Sequence, residues 1–560
     1  MKTPRRGFLS LLAGSLLARA LRAQDDLFSG TPAPDDPLEL LYSRRLSFER
    51  GEPLITVRVL EGRQQIVAIP RGPLTALART AAGEARPAVK NGGPGPWTLR
   101  LLESTPASGA SWVELEQLRF DDKKGVQRAR AEWARRNVKV RVKTVGEVYG
   151  IAGHVVDTRR YSILAESDAS EAGARKRAQE LETRFGARVQ IRRELASRPR
   201  ARIELRDPRG NPAAVGESAI ELRAPGGILI EQVEHGMGYA FHGYEDRTYP
   251  GRLFATVDAS GALALVAAIG MERLVKGVVP SEIFPKAHLE ALKAQAVTAR
   301  GEVLAKIGAR HLGDPYLLCA EQHCQVYRGI AAEEPGTDAA VDATRGEALF
   351  ADRAGESRLV DSVYSAICGG YTEDNDAVWG GVPDPSLRGR PDVLEAVPGL
   401  PDPRRAPEKF LAFDIPAACR RGRFAQPTKY RWEKRFTAQQ LDALVDSLKV
   451  GSVRHLQPLE RGASGRVRLL LVSGTRGATE LRGELTIRRQ FGMLNSALFV
   501  VTEERDGRGN PVAFVFRGGG WGHGVGLCQT GAIGRAESGQ DYRAILRHYF
   551  NGAEVVRIYE

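Results

Sequence analysis

Cysteine is scarce: five in 560 residues, an odd number scattered from Cys319 to Cys528. That excludes a disulfide-built scaffold. No uninterrupted apolar run approaches the roughly 18 residues of a membrane span, so a polytopic membrane protein is excluded as well. Neither a Gly-X-Y repeat nor a sustained heptad is present, which removes collagen and long coiled coils. What is there is a chain 42% hydrophobic and 27% charged, the composition of a folded protein with real cores. Its length suggests three to four domains, and 61 Gly with 31 Pro imply many turns.

The net charge is +13, and the surplus is local. Residues 121–210 hold 23 basic and 13 acidic residues, a surplus of ten. Such a face suits an anionic polymer or membrane, or is simply a solvated arginine-rich surface. Sparse aromatic residues there argue against nucleic acid.

The first 23 residues read as an export signal. Lys2, Arg5 and Arg6 precede an apolar stretch from Phe8 to Leu17, and small residues follow at Ala18, Ala20 and Ala23. Arg5-Arg6-Gly7-Phe8-Leu9 resembles a twin-arginine core, which implies export of an already folded protein. The expected location is periplasmic or extracellular.

The expected fold class is α+β in several domains: a linker and β-rich module over 24–120, a basic α+β module over 121–210, a connecting segment over 211–248, and a larger region over 249–552. Leu54–Leu60 and Gln65–Ile69 alternate as strands. Within 138–195 the pattern is β-β-α-β, with Ala174, Ala178, Leu181 and Phe185 giving helical spacing over Glu171–Phe185. That pattern resembles the small SPOR-type modules that bind glycan strands.

The residues that suggest chemistry lie after 249. Glu282 sits between Pro280 and Pro285, and the pattern places it in a turn ahead of a helix running over 286–300. Prolines fix its approach, and Val279, Ile283 and Phe284 would desolvate it and raise its pKa, as a general acid requires. A helix start would pull the other way. Lys293 and Arg300, seven apart, share one helix face. His311, Cys319, His323 and Cys324 offer thiolate and imidazole at short spacing. This suits one structural zinc through His311, Cys319 and Cys324; a Cys319–Cys324 disulfide or two free thiols are the alternatives. The Gly-rich run from Arg517 to Gly526 leaves too few residues behind it for a dinucleotide fold.

Five ordered blocks carry a resemblance: Gly277-Val278-Val279-Pro280-Ser281-Glu282 with Leu292–Arg300, His323-Cys324-Gln325-Val326-Tyr327, Val341–Glu347, Cys368-Gly369-Gly370-Tyr371-Thr372-Glu373 with Val378-Trp379-Gly380, and Gly522–Ala532. Together they resemble the SpoIID/LytB family over about residues 250–552. The resemblance implies a peptidoglycan lytic transglycosylase with Glu282 as catalytic acid. It assigns Lys293, Arg300, His323, Tyr327, Glu373, His523 and Gln529 to the glycan cleft. The LytB branch implies instead a non-catalytic enhancer of an N-acetylmuramoyl amidase. Cys368 and Cys528 stand where that family usually carries Ser.

Overall fold

The computed structural model describes residues 35–560, apart from 167–169, 186–188, 237–241, 322 and 354. The expected export signal, residues 1–23, lies outside the described residues. Among these, strands form several sheets and helices pack against them, an α+β architecture in more than one unit.

The largest sheet interleaves distant parts of the chain. Strand Glu52–Arg63 pairs antiparallel with Leu263–Gly270, which pairs with Arg252–Val257, which pairs with Ile220–Arg223. Arg252–Val257 and Leu263–Gly270 are buried along nearly their whole length, with both faces covered. The boundaries expected at 210/211 and 248/249 therefore fall inside continuous β-structure. The segment 211–248 is not a connector: it supplies strands Pro212–Glu217, Ile220–Arg223, Ile228–His235 and Gly243–Tyr249 to two sheets.

The basic module is larger than its sequence pattern suggested. A strand at Ser108–Arg119 and a helix at Lys123–Arg135 precede the β-β-α-β run, giving β-α-β-β-α-β, with a hairpin Val148–Ile151/His154–Asp157 between the second and third strands that leaves the unit to pair with Glu356–Leu359. Its four strands order as Gln190–Ser197, Ser108–Arg119, Arg160–Ala165, Val140–Val145, with all neighbours antiparallel. Val113, Leu118, Ala129, Trp133, Ile163, Ala174 and Leu181 form its own core. The expected division at 120/121 splits this unit between its first strand and first helix. Several of its arginines are ion-paired within the unit, as in Arg192–Glu114 and Arg193–Glu171.

Two helices carry the site. Met271–Glu282 buries Leu274, Val275, Val278 and Val279. Leu289–Lys306 is buried almost all round, as expected of a helix inside a large core. A further lobe has a separate core around Trp432, Leu441, Phe491, Phe499, Phe514 and Phe516. It combines the sheets Arg431–Thr437/Pro511–Gly519/Phe499–Arg505 and Val453–Arg461/Val467–Gly474/Gly477–Arg482.

Candidate active site and cysteine clusters

Glu282 is not in a free turn. It is the last residue of the helix Met271–Glu282, with Pro280 inside the final turn. Ser281 Oγ donates to the Gly277 carbonyl at 3.0 Å, and the Ile283 amide closes onto Val279. The helix then stops as Ile283 becomes extended, and His288 caps the next helix by accepting from the Glu290 amide. A carboxylate at a helix C-terminus meets the negative end of the dipole, so helix and burial push the same way.

The Glu282 carboxyl is half-buried. Burial, then repulsion from Glu302, raises its pKa to about 8; Lys306, the Val326 amide and the Gln529 side chain oppose that rise. It is therefore protonated at neutral pH, yet has donors at hand for its anion. Glu302 is ion-paired to Lys306 at 2.6 Å. Gln325 Nε2 donates to Glu302 at 3.0 Å, and Tyr364 Oη donates to Gln325 Oε1 at 2.7 Å. Gln529 Nε2 donates to Gln295 Oε1 at 3.3 Å. Gln295, Glu302, Lys306, Gln325 and Tyr364 were not singled out from the sequence. One signal was available: Gln295 and Glu302 are also seven apart, on a helix face two residues away from the Lys293/Arg300 face.

The Gly-rich loop closes the network. His523 Nε2 donates to the Tyr364 carbonyl at 2.9 Å, while Nδ1 accepts from the Val525 amide at 3.0 Å. Burial, with Arg466 nearby, lowers its pKa to about 3, so the ring is neutral and acts as a brace. Glu373 is buried beneath this loop rather than exposed on a turn. It accepts from Ser464 Oγ at 2.6 Å, Ser464 Oγ also accepts from Arg466, and Arg466 reaches the Cys368 and Gly522 carbonyls. The Glu373 amide itself donates to the Gly524 carbonyl.

Three aromatic side chains remain exposed near these elements. Phe284 follows Glu282 by two residues and stacks on Phe424 with centroids 4.8 Å apart. Trp379 lies 5.1 Å from the His523 ring, and Trp521 precedes His523 by two residues. A cavity of about 140 Å³ between the basic module and Gly308–Leu312 does not include Glu282.

Besides the buried Glu373, four more residues expected in the cleft sit elsewhere. Arg300 is fully buried in a bidentate pair with Glu272, at 2.9 and 2.7 Å, and donates to the Glu347 carbonyl. Tyr559 Oη donates to the same Glu272; this is a core ion pair, closed to substrate. Tyr327 is also fully buried, packed on Tyr249. Lys293 pairs with Glu290 at 2.8 Å and faces the Tyr542 ring. His323, although exposed, has turned to the thiols: its Nδ1 lies 3.5 Å from Cys324 Sγ and 3.7 Å from Cys319 Sγ.

His323 thus joins His311, Cys319 and Cys324, whose ligand atoms all lie within 4.8 Å of one another. Cys319 and Cys324 are both free thiols. His311 Nε2 is 3.2 Å from Cys324 Sγ, and its Nδ1 is 3.0 Å from Asp314. A carboxylate behind a ligating imidazole is the usual outer partner of a zinc histidine. Zinc bonds of about 2.0–2.3 Å give tetrahedral edges of about 3.3–3.8 Å, so the donor set fits. Lys306 and Arg310 donate to the carbonyls of Cys324 and His323, tying this loop to Glu302. All four ligands come from the segment leading into Gln325, so the cluster fixes where Gln325 sits.

Comparison with known proteins agrees with this anatomy. Residues 259–350 match the family model described as Stage II sporulation protein, and 373–526 match a domain of unknown function. An uncharacterized protein of Brachyspira hyodysenteriae is 27% identical over 59% of this chain and 76% of its own length. Stage II sporulation protein D of Bacillus subtilis is 28% identical over 51% of this chain and 74% of its own. The amidase enhancer of Bacillus subtilis is 28% identical over 50% of this chain, but only 39% of its own length is spanned. The helix pair around Glu282 lies inside the matched region, and this part of the chain is similar to the SpoIID family.

Proposed function

We propose that this protein is an exported lytic transglycosylase that cleaves peptidoglycan glycan strands, with Glu282 as acid and then base. The observation that carries this reading is a half-buried carboxyl at the end of its helix, its pKa raised to about 8 by burial and by Glu302, with the Val326 amide and Gln529 at hand for its anion. Glu282 protonates the oxygen linking N-acetylmuramic acid to N-acetylglucosamine as the C1–O bond breaks. The charge at C1 is met by the sugar's own N-acetyl oxygen, so a second catalytic carboxylate is not required. The Glu282 carboxylate then takes the proton of the muramic C6 hydroxyl as O6 bonds to C1. A 1,6-anhydro end results, and no water is consumed. The Val326 amide and Gln529 hold the transient carboxylate. Phe284, Trp379 and Trp521 supply stacking faces for sugar rings. His311, Cys319, His323 and Cys324 would hold one structural zinc, whose contribution is a rigid crosslink.

The amidase enhancer among the relatives favours a second reading, in which the surface around Glu282 binds wall glycan and assists an amidase without cleaving. The two separate in one assay. Mature protein is incubated with peptide-free glycan strands and products are read by mass spectrometry. Wild type is expected to release 1,6-anhydro ends, and Glu282→Gln to lose at least about 100-fold of that rate. Equal behaviour of the two, with both still binding strands, establishes the enhancer reading instead.

A further inference from the structure

All five cysteines of this cysteine-poor chain are buried, and they fall into two groups. Beyond the pair beside His311, Cys368, Cys419 and Cys528 meet around Asp392, and none of the four is accessible to solvent. They arrive on four separate segments: the loop before Gly369, the loop at Asp392, the 3-10 turn Ala418–Arg420, and the cap of the helix Gln529–Glu537. Cys368 Sγ lies 3.2 Å from Asp392 Oδ2 and 3.6 Å from Cys419 Sγ. The Cys368 amide donates to Cys528 Sγ at 3.1 Å. The four ligand atoms lie within 4.8 Å of one another.

We propose that Cys368, Asp392, Cys419 and Cys528 form a second, fully buried tetrahedral site for a thiophilic divalent cation of the zinc class. The distances carry it. Metal–sulfur bonds of about 2.3 Å place ligand atoms about 3.5–3.8 Å apart, close to the observed 3.2 and 3.6 Å. A disulfide needs sulfurs at about 2.0 Å and would leave the third thiol without a role.

The surroundings are those of a ligand set. Asp392 Oδ1 is taken by Tyr549 Oη at 2.8 Å and Arg535 at 3.1 Å, with His548 Nε2 at 3.8 Å, which leaves Oδ2 toward the sulfurs. An amide aimed at sulfur, as at Cys528, is the kind of outer contact that steadies a bound thiolate. The packing is dry: a β-carbon on Gly531 would stand 2.5 Å from Asp392 Oδ2. Because Cys528 directly precedes Gln529, the site also anchors the side chain that faces Glu282. The inference stands whether or not Glu282 cleaves glycan.

Zinc content of the purified full chain, measured by native mass spectrometry and elemental analysis, tests it. In Cys319→Ser/Cys324→Ser, where the first cluster is dismantled, one zinc per chain is expected to remain. It should disappear when Cys419→Ala/Cys528→Ala is added. Cobalt(II) loaded into Cys319→Ser/Cys324→Ser should show thiolate-to-metal charge-transfer absorption. Absence of zinc and cobalt from that folded variant overturns the proposal, as does a Cys368–Cys419 or Cys368–Cys528 disulfide in native peptide maps. If that variant does not fold, cobalt-loaded wild type decides. Absorption of five thiolates supports the second site, and absorption of two or fewer refutes it.

Discussion

The ring of Tyr327 presses on the backbone of Gly277: a β-carbon built there would stand 2.3 Å from Cε2. Two motifs fifty residues apart are thus one packing contact, which seats the Glu282 helix on the loop leading from the first cysteine cluster. Gly277→Ala should destabilise the protein by roughly 1–3 kcal/mol through overpacking. The Tyr327 hydroxyl is buried without a partner, so Tyr327→Phe should change stability by less than about 1 kcal/mol. Chemical denaturation of both variants checks the pair; the reverse ranking defeats this account.

The raised pKa of Glu282 has a sign for stability. Its folded value is about 8 against an ordinary 4.5, so between these values the folded state binds the extra proton. Stability from this group falls as pH rises through that window and levels off above about pH 8. Glu282→Gln should therefore be the more stable protein at pH 8, by on the order of 1–3 kcal/mol, and its pH–stability curve should be flatter. Activity should fall on the alkaline side, as the acid is lost. Removing the repelling charge with Glu302→Gln should move that alkaline limb to lower pH; an unmoved limb would show that Glu302 does not tune Glu282.

Arg300 provides a control for the resemblance-based assignment. Loss of one partner from the buried Arg300–Glu272 pair should cost about 3–5 kcal/mol. Arg300→Met is expected to lower the melting temperature sharply, while KM for glycan strands in the surviving folded fraction stays unchanged. Lys293→Ala, at a partly buried pair within one helix turn, should cost about 1 kcal/mol, well below the Arg300 loss. A selective rise in KM for Arg300→Met would return that residue to the cleft.

Glu373 should act through the loop above it. Glu373→Ala removes the acceptor for Ser464 and leaves Arg466 without its nearby carboxylate. Amides of residues 520–526 should then exchange with deuterium faster, while Glu282 keeps its pH limb. Unchanged protection across that loop would show that Arg466 alone holds it.

Local pattern identified several elements well. The helix Glu171–Phe185 has the same ends in sequence and structure, because its apolar residues line one face against a sheet. The long helix was harder. Leu289–Lys306 is buried nearly all round, so periodicity cannot tell which polar residues face a cleft and which pair inside the core. Periodicity therefore had nothing to set against the resemblance that assigned Arg300 to the cleft, and Gln295 and Glu302 passed unnoticed. Pro280 was read as a turn marker, but the helix continues two residues past it, which reverses the dipole effect on Glu282. The first cysteine cluster was visible from spacing. The second was not, since Cys368, Asp392, Cys419 and Cys528 are brought together only by the fold.

The β-α-β-β-α-β unit enters and leaves the chain at one place. Ser108 stands opposite Ser197, and just outside them Thr105 pairs with Arg200. Strand Leu263–Gly270, by contrast, depends on Glu52–Arg63 for one whole edge. A fragment cut to begin near residue 250 would expose that edge as an open template for self-association. The unit is nevertheless no free insert: between Val140–Val145 and Arg160–Ala165 the hairpin Val148–Ile151/His154–Asp157 leaves it to pair with Glu356–Leu359 and to bury Ile151 and Val156 in the main core, so a shortened protein has to keep that hairpin as well as the amino-terminal strands.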